Sequence, residues 1–136
     1  MNNPLHDFML RYTKRTIKEL LEESISRHPH RTSLANVEGE SFTYFELGRR
    51  VGALSSQLKE LGVTKGDKVA ILGENSPHWG IAYLAVTTMG AVVVPILPDF
   101  PSEDIKTILN HSDSRILFAT RRQIEKISFE YCRTLR

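Results

Sequence analysis

The residues in this 136-residue sequence best placed to do chemistry lie in one short run, Gly73-Glu-Asn-Ser-Pro-His-Trp79. It follows a short apolar stretch, Lys68–Leu72, and precedes another, Ile81–Val86. A buried strand that turns into a helix at this point puts His78 and Trp79 in the first helical turn. That turn lies beyond the C-terminal end of a parallel strand, where α/β folds gather ligands. His78 and Trp79 are therefore the ligand-proximal candidates; the alternative is that Trp79 packs the core and His78 faces water. A phosphate is a poor occupant. There is neither a Gly-x-x-x-x-Gly-Lys-Ser/Thr run nor a Gly-x-Gly-x-x-Gly run. The glycine after Gly73 is Gly80, already inside the helix, and Pro77 removes one of the amides that a helix start offers an anion.

The other reactive side chains do not assemble into a site. Of the five histidines, His6, His28, His30, His78 and His111, the pair His28-Pro-His30 flanks a helix stop and has no cysteine or carboxylate partner at ligand spacing, whereas a metal centre needs three or four converging ligands. The single cysteine, Cys132, stands near the end of the sequence, and no Gly-x-Ser-x-Gly elbow occurs. Glu22-Glu23 and Glu103-Asp104 read as solvated helix faces. No catalytic, cofactor-binding or metal-binding residue is assigned from these patterns.

Composition bounds the class. Hydrophobic residues make up 40% and charged residues 25%, the balance of an ordinary globular domain. One cysteine rules out a disulfide scaffold within the chain and fits a reducing compartment, and the N-terminal residues carry no signal-peptide core, so the expected location is the cytoplasm. Residues 1–114 hold 12 Lys and Arg against 14 Asp and Glu, while residues 115–136 hold 6 against 2. The basic end reads as a solvated helix face, with Arg121, Arg122 and Lys126 set among Ile124 and Ile127. The strand-like runs are aliphatic and neutral, which disfavours base stacking and hence nucleic acid.

The elements that must position the Gly73–Trp79 run follow from periodicity and punctuation. Residues 1–15 read as an arm. Thr16-x-x-Glu19 is a capping box that opens a helix with Ile17, Leu20, Leu21 and Ile25 at helical spacing, stopped by Pro29. Ser33–Val37 and Ser41–Phe42 flank Gly39 as a hairpin. Thr43-x-x-Glu46 is a second capping box, with Phe42 and Leu47 at the two positions of a hydrophobic staple. Its helix carries the stripe Leu47, Val51, Leu54, Leu58 and Leu61 and ends at Gly62. Lys68–Leu72 and Ala91–Ile96 read as strands buried on both faces, joined by a helix that Ser76 caps, that is apolar nearly all round, and that Gly90 ends. Ser102 is expected to cap a further helix bearing Ile105, Ile108 and Leu109, Arg115–Ala119 to form a third strand, and Thr120-x-x-Gln123 to box a last helix. The fold class is thus α/β: a parallel sheet with βαβ crossovers flanked by helices and preceded by a helix and a β-hairpin. Residues 129–136 receive no element.

Two stretches go further when taken together. Phe42-Thr-Tyr-Phe-Glu-Leu47, continuing to LKELGVTKGDKVAILGENSPHW, and Ala85-Val-Thr-Thr-Met-Gly-Ala-Val-Val-Val-Pro-Ile-Leu-Pro98 resemble the first two motifs of the AMP-forming, acyl-activating superfamily. The resemblance covers about residues 16–127. Within the superfamily, NSPHWGIAYLAVTTMGAVVVPI is most similar to bacterial long-chain fatty acid–CoA ligases. The resemblance implies a reaction of ATP, a fatty acid and coenzyme A through an acyl-adenylate, assisted by Mg2+. It places the phosphate-binding loop well downstream of these early units.

The family's catalytic segments have no counterpart here: no Ser/Thr/Gly-rich loop with a lysine, no Tyr-Gly-x-Thr-Glu segment, no ribose-binding aspartate motif. Only scaffold positions carry over, Thr43, Tyr44, Glu46 and Leu47 in the first motif and Gly90, Ala91 and Pro95 in the second. The expectation is a partial domain: residues 16–128 as the N-terminal part of an adenylation domain, 129–136 as a truncated end, and no ligase activity or bound cofactor of its own. ATP, Mg2+ and coenzyme A, with the fatty acid, belong to the parent enzyme, whose remainder is the expected partner and which is cytoplasmic or peripheral to a membrane. Self-association through an open sheet edge or apolar surface is also expected. The alternative is a stand-alone α/β binding module without catalysis.

Overall fold

The computed structural model describes residues 16–128 together with Glu130, Cys132 and Leu135. The expected arm, residues 1–15, lies outside the described residues. Helix α1 (Ile17–Arg27) opens on the Thr16–Glu19 box: Glu19 N donates to Thr16 Oγ1 at 3.2 Å, and Thr16 N donates to Glu19 Oε2 at 2.8 Å. A hairpin follows, β1 (Thr32–Ala35) against β2 (Ser41–Thr43), with Gly39 at φ 137° in its turn. The first strand is shorter than its β-rich sequence suggests, and Val37 stands fully in solvent. Helix α2 (Tyr44–Glu60) repeats the capping pattern, Glu46 N to Thr43 Oγ1 at 3.2 Å and Thr43 N to Glu46 Oε2 at 2.8 Å. The staple is formed too: Phe42 and Leu47 are buried in one cluster, with the Arg50 guanidinium 4.4 Å over the Phe42 ring.

The sheet is three-stranded and parallel, with β3 (Lys68–Leu72) between β4 (Val92–Ile96) and β5 (Ile116–Ala119). Strand β3 (Lys68–Leu72) is central and buried from Val69 onward. Helix α3 (Pro77–Thr88) carries the chain to β4 (Val92–Ile96), and helix α4 (Ser102–Ser112) carries it back past β3 to β5 (Ile116–Ala119). A four-residue helix, α5 (Arg121–Ile124), closes the described order. Fully buried Leu58, Val69, Leu72, Val86, Ile105 and Leu109 hold the layers together. Each such side chain removed from water contributes about 1.5–3 kcal/mol. No helix among the described residues is long and apolar enough to cross a membrane.

Several expectations change in detail. Strand β4 is not buried on both faces: Val92 is 46% exposed and Pro95 is open to solvent, because β4 is an edge of this sheet. An edge position is also where a missing N–H is tolerated, which suits Pro95. Leu61 leaves the α2 stripe; as the C-cap residue it turns outward and is 68% exposed. Ile17 and Leu20 likewise remain exposed, and only Leu21 of that run packs on the first cluster. Ser102 does not cap α4: the N-cap is Pro101, with no side-chain cap. The last helix is short and ends at Ile124.

Two helix ends share one geometry. After α2, Gly62 N donates to Lys59 O at 2.9 Å and Val63 N to Leu58 O at 2.9 Å. After α3, Gly90 N donates to Thr87 O at 3.1 Å and Ala91 N to Val86 O at 3.2 Å. Both are Schellman endings, and the two glycines have φ of 81° and 84°. Leu58, Val63, Val86 and Ala91 then meet in one buried cluster, so each stop also aims its following segment into the core. Replacing Gly90 by Ala is expected to destabilise the protein by about 1–2 kcal/mol, from the left-handed backbone alone. Urea unfolding of Gly90→Ala checks this; a midpoint equal to the parent's contradicts it.

A polar knot ties the loop before β3 to the start of β5. Asp67 Oδ2 accepts from Thr64 N at 2.7 Å, Thr64 Oγ1 at 3.0 Å and Arg115 Nη1 at 2.8 Å, and Arg115 Nη1 also donates to Gly62 O at 3.0 Å. The Thr64 amide and hydroxyl, with the Arg115 charge, hold the Asp67 carboxyl below its ordinary range. A lowered folded-state value stabilises the fold at pH values above the unfolded carboxyl's, and the gain is lost as pH falls through the folded one. Acid should therefore erode stability below about pH 4, and Asp67→Asn should flatten that limb. Unfolding free energy followed from neutral pH into acid checks this; identical slopes for parent and variant contradict it.

Candidate functional site

The C-terminal ends of β3 and β5 lie side by side, Leu72 pairing with Ala119. The residues that follow these strands meet there. Glu74 comes off β3, and Thr120 and Gln123 come off β5. Thr120 Oγ1 donates to Glu74 Oε2 at 3.2 Å and Gln123 Nε2 donates to Glu74 Oε1 at 2.8 Å. Gln123 is 2% exposed, and its Oε1 is buried with no hydrogen-bond partner. The Gln123 amide foremost, then the Glu74 backbone and the Thr120 hydroxyl, keep the Glu74 carboxyl below its ordinary range, so it is an anion at neutral pH.

Beside this acid opens a cavity of about 200 Å³ between β3, β5 and the start of α3. Ile71, Leu72, Phe118 and Ala119 wall it from the sheet, and Trp79 and Ala82 from the helix. Glu74, Ser76, His78 and Thr120 supply the polar part. Both ligand-proximal candidates are thus brought to one cavity. Trp79 does not pack into the core; it is half-buried and stacks on Tyr83, centroids 5.4 Å apart. His78 is exposed, with Nδ1 3.4 Å from Glu40 Oε2 of the hairpin and its ring edge-on to Phe42 at 6.0 Å.

The start of α3 has little left for an anion. Ser76 Oγ already accepts from Trp79 N at 3.2 Å, and Pro77 has no N–H. A phosphate would also meet the Glu74 charge at close range. The strand tip is built around its own carboxylate. Among the described residues, no group of three or more His, Cys, Asp or Glu converges as a metal-binding set.

The scaffold positions lie elsewhere. Thr43, Tyr44, Glu46 and Leu47 form the start of α2, and Thr43 and Glu46 are consumed by the capping box. Gly90 and Ala91 form the end of α3, and Pro95 sits on the edge strand opposite Ile71. None of the seven lines the cavity.

The acid and its two supports are not identifiable from local pattern. Thr120-x-x-Gln123 reads as a capping box, yet no side-chain cap forms. Both side chains turn to Glu74 instead, donating charge-assisted hydrogen bonds to its carboxylate. The available signal is topological: Glu74 and Thr120 come within two residues of the ends of neighbouring parallel strands. Gln123→Met is expected to leave stability unchanged or raise it by up to about 1–2 kcal/mol, since it removes a buried orphan acceptor while Glu74 stays open to water. Thermal unfolding decides it; a loss of comparable size contradicts it.

Comparison with known proteins gives a consistent result. The family described as AMP-binding enzyme matches residues 21–133. Surfactin synthase subunit 2 of Bacillus subtilis is 35% identical over 105 residues, which is 77% of this chain and 3% of that protein. The Klebsiella oxytoca NpsA N-terminal subdomain, solved in complex with 3-hydroxybenzoyl-AMSN, is 30% identical with a TM-score of 0.77, covering 85% of this chain and 28% of that one. The anthranilate CoA ligase AuaEII, solved with anthranoyl-AMP, has the same fold at 20% identity and a TM-score of 0.84, covering 89% of this chain and 24% of that one. The chain thus spans a small part of the length of each of these proteins.

Proposed function

This chain belongs to the AMP-binding enzyme family, and we propose that it is a scaffold portion of an adenylate-forming ligase. The observation that carries the reading is the extent of the family match, residues 21–133, which takes in both capped helices and the whole parallel sheet. In the reaction proposed for the whole protein, a carboxylate oxygen of the acid attacks the α-phosphorus of ATP and the bond to pyrophosphate breaks. A thiol then attacks the acyl carbon, and AMP leaves.

The residues present here do not fit the phosphates of ATP or Mg2+. The sequence has no Ser/Thr/Gly-rich loop with a lysine. The described residues offer no converging metal-ligand set. No step of the reaction is assigned to this chain's side chains; its contribution is to set strand and helix positions for neighbouring segments.

Two identities for the acid are supported by different observations. The run NSPHWGIAYLAVTTMGAVVVPI favours a long-chain fatty acid with coenzyme A as the thiol. The 35% identity to a surfactin synthase subunit favours an amino acid passed to a carrier-bound thiol. ATP–pyrophosphate exchange separates them. The whole protein is expected to exchange when given its acid, and a panel of long-chain fatty acids and amino acids identifies it. Protein of this 136-residue sequence alone is expected to stay at the blank level with every acid; turnover above blank contradicts the scaffold reading.

A further inference from the structure

The cavity at the sheet end combines two features that share one requirement. Its walls are apolar and partly aromatic, Ile71, Leu72, Phe118 and Trp79 among them. At its rim stands the Glu74 carboxylate, whose hydrogen-bond partners among the described residues, Gln123 and Thr120, are both neutral, while the Arg122 charge acts on it without a hydrogen bond. Gln123 Oε1 is buried without a partner and lies outside the cavity lining. Turning that amide over would set oxygen against a carboxylate oxygen, so its orientation is fixed by Glu74. The cavity therefore presents one carboxylate at the rim of an apolar hollow.

We propose that this cavity binds a small organic cation, a primary amine or guanidinium on an aromatic or branched aliphatic body. The body fills the hollow against Trp79 and Phe118, and its N–H groups donate to the Glu74 carboxylate. The start of α3 opposes a cation weakly, since a helix end carries about half a charge. The full charge of Glu74 outweighs it. An anion meets the opposite balance, and a neutral body of the same shape forgoes the charge-assisted bond. This assignment holds whether or not the whole protein is a ligase.

Trp79 is the only tryptophan in the sequence and lines the cavity, so its fluorescence reports occupancy. Benzylamine, benzyl alcohol and benzoate present one ring with positive, neutral and negative ends. Titrated into the protein, benzylamine is expected to give a saturable change, with benzyl alcohol at least about tenfold weaker and benzoate weaker still. Glu74→Gln, which keeps an acceptor for Gln123, is expected to reduce benzylamine to the benzyl alcohol level. Equal affinity for the three probes, no saturable change with benzylamine, or undiminished benzylamine binding by a folded Glu74→Gln would overturn the proposal. Should that variant fail to fold, the three-probe series in the parent protein decides alone.

Discussion

The structure depends on one strand. Strand β3 pairs in parallel with β4 on one side, Lys68 to Val92 through Leu72 to Ile96, and with β5 on the other, Val69 to Ile116 through Leu72 to Ala119. Its residues from Val69 to Leu72 are buried. A strand with two parallel neighbours and no exposed face leaves the connecting helices no choice but to cover it, one per crossover. The helix stops matter because they set where each crossover lands. The endings at Gly62 and Gly90 place Val63 and Ala91 in one cluster with Leu58, Val69 and Val86. At the opposite end of the sheet, the residues released from β3 and β5 arrive together and make the acid-rimmed cavity. Core and site are two consequences of a single register.

What could be read from the sequence follows how locally each interaction is closed. The boxes at Thr16–Glu19 and Thr43–Glu46 and the stop glycines close within a few residues, so sequence spacing specifies them. The apolar run around α3 forecast burial between layers because its composition leaves no polar face. Contacts that close over long distances could not be read this way. Thr120 and Gln123 have the spelling of a cap, but a carboxylate 46 and 49 residues earlier in the chain captures them. The exposure of Val92 and Pro95 depends on β4 being an edge, which strand composition cannot tell. His78 and Trp79 were identified through a rule about strand ends rather than through their own chemistry. The same rule, applied to β5 as well as β3, leads to Glu74 and Thr120.

The geometry of the strand tip disfavours a phosphate. A βαβ unit of nucleotide-binding type normally offers glycines and free amides after its first strand. Here that position holds a carboxylate braced by a buried glutamine, beside a helix start already capped by Ser76 and interrupted by Pro77. The unit keeps the architecture of a phosphate site with the charge reversed. Under the proposed reading this region serves an AMP-binding enzyme as a frame, and its strand tip is not built for phosphate.

The most direct test of that account is to titrate AMP into the protein and follow the backbone amide resonances of residues 73–79. The account predicts no saturable shift at Glu74, Ser76, His78 or Trp79, because the Glu74 charge repels a phosphate and the capped helix start has few free amides to hold one. Saturable shifts centred on those amides would contradict it and would make the strand tip a nucleotide site after all.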